Sequence, residues 1–206
     1  MTISSVSKYK GETWEVIADG QNFYFNREIV ADHGLRSGMV ISEEKFSEIV
    51  KASDRRKACQ RAMYLLDYRP YSFKEMFKKL SDNYDEDTCF YVLNKLCELG
   101  LINDRRYASS LAEKYIEIKK FGFFRAKAEM RKKGLTDEII CEALEKYEGK
   151  TEDILFEYIS KKYSDCFQDP DKIRKMKNAL VRQGYGYDEI NRVVRRFDFS
   201  DSDEYE

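Results

Sequence analysis

Apolar residues recur along the chain with a helical spacing that appears three times, fifty to fifty-one residues apart. One predicted helix carries them at positions i, i+3 and i+7: Phe73, Met76 and Leu80, then Phe123, Ala126 and Met130, then Ile173, Met176 and Leu180. The next helix carries them at i, i+3, i+4 and i+7: Cys89, Val92, Leu93 and Leu96, then Ile140, Ala143, Leu144 and Tyr147, then Ile190, Val193, Val194 and Phe197. Residues at these spacings share one helix face, so each copy is expected to bury the same two faces. A fixed period of this length indicates tandem helical units.

Helix boundary signals fall at corresponding places in the copies. Gly134 and Gly184 stand four residues past the last apolar position, where a left-handed residue ends a helix, and Asn83 is the expected counterpart in the first copy. The residues expected to cap helix starts are Ser42, Ser72, Thr136 and Asp169. A less regular helix precedes each pair, at about 55–66, 104–120 and 152–164. Each unit is therefore predicted to contain three helices.

The first fifty residues follow a different pattern. The segment Thr13 to Phe25 contains two β-prone runs joined by Asp19 and Gly20, a favoured two-residue hairpin turn. We predict a mainly α protein in which a small N-terminal β-hairpin and helix module precedes three tandem three-helix repeats in an elongated, curved array. The predicted divisions are 1–53 for the module, 54–103, 104–150 and 151–197 for the repeats, and 198–206 for an acidic, disordered tail.

Composition removes several classes of function. No run of about 18 apolar residues and no secretory signal occurs in the sequence, so we expect a cytosolic protein without a membrane span. The only histidine, His33, is expected at a helix end, and the glycines form no phosphate-binding motif. The five cysteines lack metal-ligand spacing and are expected to be reduced core residues. We therefore predict no catalytic residues, no metal site and no cofactor.

The basic stretch from Lys119 to Lys133 is the main candidate for binding, since it holds seven positive charges and one negative. On a helical wheel Arg125 and Lys132 point away from the apolar face, and Lys175 and Arg182 take the corresponding places in the third copy. The candidate contact residues are Lys119, Lys120, Arg125, Lys127, Arg131, Lys132, Lys133, Lys175, Lys177 and Arg182. Two interpretations stay open: a solvated helix face, or a surface that meets phosphates or an acidic protein.

Several segments resemble the RecX family. They are Ala62 to Ser72 (AMYLLDYRPYS), Glu75 to Leu80 (EMFKKL), Leu96 to Ala108 (LCELGLINDRRYA) and the GLTDEI stretch that begins at Gly134. They look like the family pattern of a leucine pair, Arg-Pro-x-Ser, a lysine-leucine helix end and L-x-x-x-G-L-I-x-D-x-x-Y-A. The stretch from Arg69 to Ala108 is the specific part of this resemblance.

The resemblance implies a regulatory protein that binds the RecA filament on single-stranded DNA and modulates its recombinase and ATPase activity. Inhibition, which would restrain DNA recombination and the SOS response, is the favoured mode, and tuning of the activity is the alternative. From the residues themselves we expect a monomer that is not an enzyme. A net charge of −1 and the acidic tail depart from a strongly basic DNA binder, so direct DNA affinity is expected to be weak. The alternatives are a stand-alone nucleic-acid-binding helical protein and a helical scaffold with no link to nucleic acids.

Overall fold

The computed structural model describes the backbone of residues 1–200 and the side chains of residues 1–197. It is mainly α-helical, with one small antiparallel sheet at the N-terminus. The predicted fold class is confirmed in these terms. The predicted acidic tail lies, from Asp201 onward, outside the described residues.

The sheet has the strand order β1 (Ile3–Lys10), β2 (Thr13–Ala18), β3 (Gln21–Asn26). The predicted hairpin is confirmed: Asp19 and Gly20 join β2 to β3 with φ angles of 45° and 77°, the left-handed pair that a tight hairpin turn requires. Strand β1, which was not predicted, pairs antiparallel with β2. One face of this sheet is buried under Phe46 and Ile49 of the long helix that follows.

Two helices complete the N-terminal module. Helix α1 (Arg27–Asp32) ends at His33, as predicted. Helix α2 (Glu43–Tyr68) begins at Ser42, whose side chain accepts a hydrogen bond from the backbone N–H of Lys45. It continues without a break for 26 residues, so the prediction of a separate helix from about residue 55 is wrong. The buried residues Ser53, Ala58 and Ala62 carry its contact face through that point.

The remaining helices follow in the predicted order of the repeats. They are α3 (Phe73–Leu80), α4 (Glu86–Glu98), α5 (Asp104–Glu113), a π-helical turn (Lys114–Ile118), α6 (Phe123–Lys132), α7 (Asp137–Glu145), α8 (Thr151–Lys162), a 3₁₀ turn (Ser164–Cys166), α9 (Pro170–Gln183) and α10 (Tyr187–Ser200). The chain forms two compact units. The first contains residues 1–69 and 76–101, and the second contains residues 70–75 and the chain from 102 onward.

The repeated apolar positions form the cores. Every position predicted at i+3 or i+7 of the first helix, and at i, i+3 or i+4 of the second, is buried in all three copies. Gly134 and Gly184 have φ angles of 80° and 97°, which confirms both as left-handed helix ends. Asn83 does not take that conformation, and the prediction for it is wrong: its N–H and that of Tyr84 both bond to the carbonyl of Leu80 in a turn.

The cysteines correct another expectation. Cys89 is buried, Cys59 and Cys166 are half-buried, and Cys97 and Cys141 are exposed, so most of the five are not core residues. All five are free thiols. None of the helices among residues 1–200 combines the length and hydropathy needed to cross a bilayer.

Candidate partner-binding surface

The ten candidate basic residues all lie in the second compact unit. They follow the π-helical turn, lie on α6 or α9, or, in the case of Lys133, directly follow α6. They differ in exposure. The exposed members are Lys119, Arg131, Lys132, Lys175 and Arg182. The half-buried members are Lys120, Arg125, Lys127, Lys133 and Lys177. Half of the predicted surface therefore takes part in local packing.

The start of α6 packs against the turn that ends α9. The N–H of Gly122 donates to the carbonyl of Gln183 at 3.0 Å, and the N–H of Phe124 donates to the carbonyl of Gly184 at 3.2 Å. The side chain of Gln183 donates in return to the carbonyl of Lys119 at 3.1 Å. A Cβ on Gly122 would lie 2.2 Å from the carbonyl carbon of Gly184, so only glycine permits this approach. We call this contact the α6–α9 joint.

Arg125 belongs to the α6–α9 joint. One of its guanidinium nitrogens donates to the side-chain oxygen of Gln183 at 2.9 Å, and the guanidinium lies 4.0 Å from the centroid of the Phe121 ring. The prediction that Arg125 points freely outward is wrong. A single-helix wheel cannot show that the next copy of the repeat covers this position.

A joint with the same layout connects the start of α3 to the turn that ends α6. The hydroxyl of Ser72 donates to the carbonyl of Lys133. A Cβ on Gly134 would lie 2.7 Å from the Cβ of Lys74. The predicted capping box is also confirmed here, since the N–H of Glu75 donates to the Ser72 hydroxyl at 3.1 Å and the N–H of Ser72 donates to the Glu75 carboxylate at 3.4 Å.

Both joints were missed by sequence reasoning. A signal was present, because Ser72 and Gly122 are fifty residues apart, as are Lys133 and Gln183. The repeat period identifies residues that take equivalent positions in different copies, whereas these contacts join non-equivalent residues of adjacent copies. The period alone does not indicate which residues of adjacent copies meet.

Several of the basic side chains are already paired with acids. Arg131 forms two hydrogen bonds with the Asp137 carboxylate, at 2.7 and 2.9 Å, which lower the pKa of that carboxyl. Lys132 pairs with Glu129 at 2.8 Å, and this hydrogen bond lowers the pKa of Glu129. Lys133 pairs with Glu75 at 3.4 Å. Because a carboxylate already pairs with each of these three cations, they attract a negatively charged partner more weakly than the sequence suggested.

Other members have neutral contacts. Lys127 lies 3.5 Å from the sulfur of Cys141, and Lys177 donates to the side-chain oxygen of Asn191 at 2.8 Å. Lys119 lies over the rings of Tyr115 and Phe121, 5.4 Å from each centroid. The backbone carbonyl of Lys120 accepts a hydrogen bond from the hydroxyl of Tyr185 at 3.1 Å.

Of the ten candidate residues, three exposed ones form no salt bridge within residues 1–197: Lys119, Lys175 and Arg182. Lys175 and Arg182 are seven residues apart on α9, about two turns along one face. Lys119 lies beside the end of α9, where its carbonyl meets Gln183. We call these three residues the α9 basic surface. Its chemistry suits binding to phosphates or carboxylates.

The residues that the structure describes offer little for chemistry at a metal. No group of three or more His, Cys, Asp or Glu side chains among them is arranged to hold an ion. What the second unit presents instead is a set of exposed cations on and beside its helices.

Sequence and structure comparisons point to one family. Residues 58–96 match the RecX first three-helix domain, and residues 103–144 match the RecX second three-helix domain. The regulatory protein RecX of Clostridium acetobutylicum is 29% identical over 206 residues, covering 95% of this chain and 94% of that protein. The regulatory protein RecX of Clostridioides difficile is 28% identical over 173 residues and covers 82% of each.

Solved structures agree with this match. The crystal structure of RecX from Lactobacillus salivarius is 31% identical and aligns with a TM-score of 0.62, covering 72% of this chain and 99% of that one. A second crystal structure of a regulatory protein RecX aligns with a TM-score of 0.70 over 94% of this chain and 98% of that one. At 20% identity, this second likeness supports the fold alone.

Proposed function

This chain belongs to the RecX family, and from that premise we propose that it is a regulatory protein that binds the RecA filament on single-stranded DNA and inhibits its recombinase and ATPase activity. The proposed setting is DNA recombination and repair, including the SOS response. The protein acts there as a non-catalytic monomer in the cytoplasm. It changes ATP turnover by binding the enzyme that performs it.

The match to both three-helix domains carries this proposal, together with similarity to regulatory RecX proteins over nearly the whole chain. Both matched domains contain helices whose apolar faces are buried, so their remaining surface is what a partner meets. We propose that the α9 basic surface contacts the filament; Lys119 lies in the second matched domain, whereas Lys175 and Arg182 lie in the third copy of the repeat, beyond both matches. A cationic helix face is attracted both to DNA phosphates and to acidic protein surfaces.

The α9 basic surface can be tested by charge reversal. Lys119→Glu, Lys175→Glu and Arg182→Glu combined change three exposed side chains, of which Lys119 alone lies over buried rings, those of Tyr115 and Phe121. Arg125 is left out since its reversal would break the α6–α9 joint, and Lys132 is left out since Glu129 already neutralises it. The matched control is the double reversal of Lys45 and Lys51, two exposed lysines of α2.

The measurement is RecA-catalysed ATP hydrolysis on single-stranded DNA with substoichiometric protein. The parent and the control are expected to suppress hydrolysis equally, whereas the triple variant suppresses it weakly. Parent protein that leaves hydrolysis unchanged contradicts the proposed function. A triple variant that inhibits as well as the parent, with the parent active, contradicts only the proposed contact surface.

Stand-alone nucleic-acid binding is a second candidate, favoured by the exposed cations of α9 that lack acidic partners in the described part of the chain. Salt dependence separates the two. Binding dominated by phosphates weakens steeply as salt rises and needs no RecA. Binding that requires RecA, ATP and single-stranded DNA together supports the filament regulator.

A further inference from the structure

A cleft of about 630 Å³ opens in the first compact unit, between helices α1, α2 and α4. This volume lies within the range of about 300 to 1,000 Å³ that is common for small-molecule sites. Three cations line it: Arg55 and Arg56 from α2, and Lys95 from α4. None of them belongs to the ten basic residues considered above.

The two arginines are held in place on the wall of the cleft. The guanidinium of Arg55 lies 4.1 Å from the centroid of the Tyr91 ring, and that of Arg56 is paired with the Glu28 carboxylate. In both side chains the Nε atom is buried and has no hydrogen-bond partner among the described residues. Buried donors without an acceptor are uncommon in folded proteins. Since neither Nε is accessible from the cleft, an anion there would bind the terminal nitrogens of the guanidinium groups.

Charge and shape indicate the kind of anion. Among the lining residues Arg55 and Lys95 form no salt bridge within the described residues and face one carboxylate, Asp32, whereas Arg56 is paired with the nearby Glu28. Guanidinium groups bind phosphate through paired N–H donors. Asp32 on α1 and Gln60 on α2 are hydrogen-bonding groups for sugar hydroxyls, and Tyr91 adds an aromatic ring that Arg55 contacts on one side.

We propose that this cleft binds a small phosphorylated molecule of the nucleotide class. Arg55, Arg56 and Lys95 hold the phosphate, and the remaining volume holds the sugar and base. The site lies in the first compact unit and shares no residue with the α9 basic surface, which lies in the second. If the cleft binds no nucleotide, the proposed function is therefore unaffected.

Isothermal titration with adenosine monophosphate, adenosine and inorganic phosphate tests the assignment on the full chain. The monophosphate is expected to bind at least about tenfold more tightly than adenosine, because hydrogen bonds to a charged group carry the affinity. It is also expected to bind more tightly than inorganic phosphate, because the cleft has room for the nucleoside. Equal affinity for the monophosphate and adenosine, or no binding at millimolar concentration, overturns the proposal.

Two substitutions and one control connect binding to the cleft. Arg55→Gln and Lys95→Gln should each weaken monophosphate binding by about tenfold or more. Lys95 is exposed, so its variant keeps the test valid if Arg55→Gln unfolds. Lys57→Gln is the control, because Lys57 is an exposed lysine of the same helix that pairs with Asp54 at 3.6 Å and does not line the cleft. Unchanged affinity in Lys95→Gln, or an equal loss in Lys57→Gln, overturns the assignment.

Cys59 lines the cleft and provides a second readout. The monophosphate should slow alkylation of Cys59 and leave alkylation of the exposed Cys141 unchanged, as followed by peptide mass spectrometry. A single-stranded oligonucleotide with a 5′-phosphate separates a free nucleotide from a nucleic-acid end. The concentrations at which the two molecules protect Cys59 from alkylation are compared. Protection by the monophosphate at an equal or lower concentration supports binding of a free nucleotide, and stronger protection by the oligonucleotide overturns it.

Discussion

The guanidinium of Arg125 donates a 2.9 Å hydrogen bond to the side-chain oxygen of Gln183. Fifty positions earlier, Lys133 and Glu75 pair at 3.4 Å with the roles of donor and acceptor exchanged. The same two positions of the repeat therefore meet in both joints, although their residue types differ. In each joint the contact lies next to a left-handed glycine, Gly134 or Gly184, that brings the two backbones close together.

The close approach at the α6–α9 joint predicts that one added methyl group, at Gly184, lowers the free energy of unfolding strongly. Gly184 has a φ of 97°, and a Cβ there would lie 2.4 Å from the Cβ of Arg125. Gly149 has a φ of 78° with nothing within 4 Å of the added atom. Gly184→Ala should therefore destabilise the protein by at least about 2 kcal/mol more than Gly149→Ala does. Urea denaturation measures both; equal losses would mean that the backbone strain acts alone.

The buried repeat positions predict a second set of stabilities. Leu96 and Leu144 are 1% and 3% exposed, so Leu96→Ala and Leu144→Ala should each lower the free energy of unfolding by about 2 to 5 kcal/mol. Leu99, three residues beyond Leu96, is 63% exposed, and Leu99→Ala should stay within about 0.5 kcal/mol of the parent. Thermal and urea unfolding of the three variants provide the comparison. A loss below about 0.5 kcal/mol at Leu96 would contradict the assigned face.

The repeat could be predicted from the sequence because a helix that buries one face carries apolar residues at a regular spacing. The capping box at Ser72 was accessible too, since it depends on residues only three positions apart. Strand β1 has no such regular apolar pattern. Of its residues only Ile3 is buried, and the strand is held mainly by its backbone pairing with β2.

The candidate site was predicted less well, for a related reason. Charge counts along the basic stretch were correct and included Glu129, but they gave no account of Asp137 and Glu75, which pair with Arg131 and Lys133. Asp137 is reached across the end of α6, and Glu75 belongs to the preceding copy of the repeat. The cleft near Arg55 depends on α1, α2 and α4 together, so no local segment of sequence contains its pattern.

Asp104 predicts a dependence of stability on pH. Burial raises the pKa of its carboxyl and the charge of Glu75 raises it further, while the hydrogen bond from the N–H of Phe73, at 2.8 Å, lowers it. Because the folded pKa lies above the unfolded one, the folded state binds more protons, and stability falls as pH rises through that interval. Asp104→Asn keeps an acceptor for Phe73 and removes the charge.

The Asn variant should therefore be at least as stable as the parent at about pH 7 and should lose that advantage as pH falls through the raised pKa of Asp104, where the parent carboxyl becomes protonated. Urea denaturation of both proteins across this range measures the change. A stability difference that does not vary with pH would show that Asp104 titrates alike in the folded and unfolded states.

The cysteines predict a difference in reactivity. Burial raises the pKa of the Cys89 thiol, so less thiolate is present at neutral pH, whereas Cys141 is exposed on α7. Cys141 should react with a thiol reagent at least about tenfold faster than Cys89 in the folded protein. In urea the two rates should converge. Site-resolved mass spectrometry checks this, and comparable rates before unfolding would contradict the burial of Cys89.

The equivalence of the two joints predicts a rescue. Arg125→Glu should destabilise the protein, since it removes the hydrogen bond to Gln183 and the contact with the Phe121 ring. Gln183→Lys should also destabilise it, because two cations then meet. The double variant restores the Glu–Lys pair that Glu75 and Lys133 form in the other joint, so its loss should be smaller than the sum of the single losses by at least about 0.5 kcal/mol.

Urea denaturation of the parent, the two single variants and the double variant gives this coupling free energy. The lost contact with the Phe121 ring does not enter it, because both proteins that carry Arg125→Glu lack that contact. The control combines Arg125→Glu with Asn178→Lys, which adds the same charge at an exposed position of α9. That pair should be additive. Equal coupling in both pairs would mean that general charge balance stabilises the second unit. Coupling confined to Gln183 would mean that a specific side-chain pair at the same repeat position stabilises each joint.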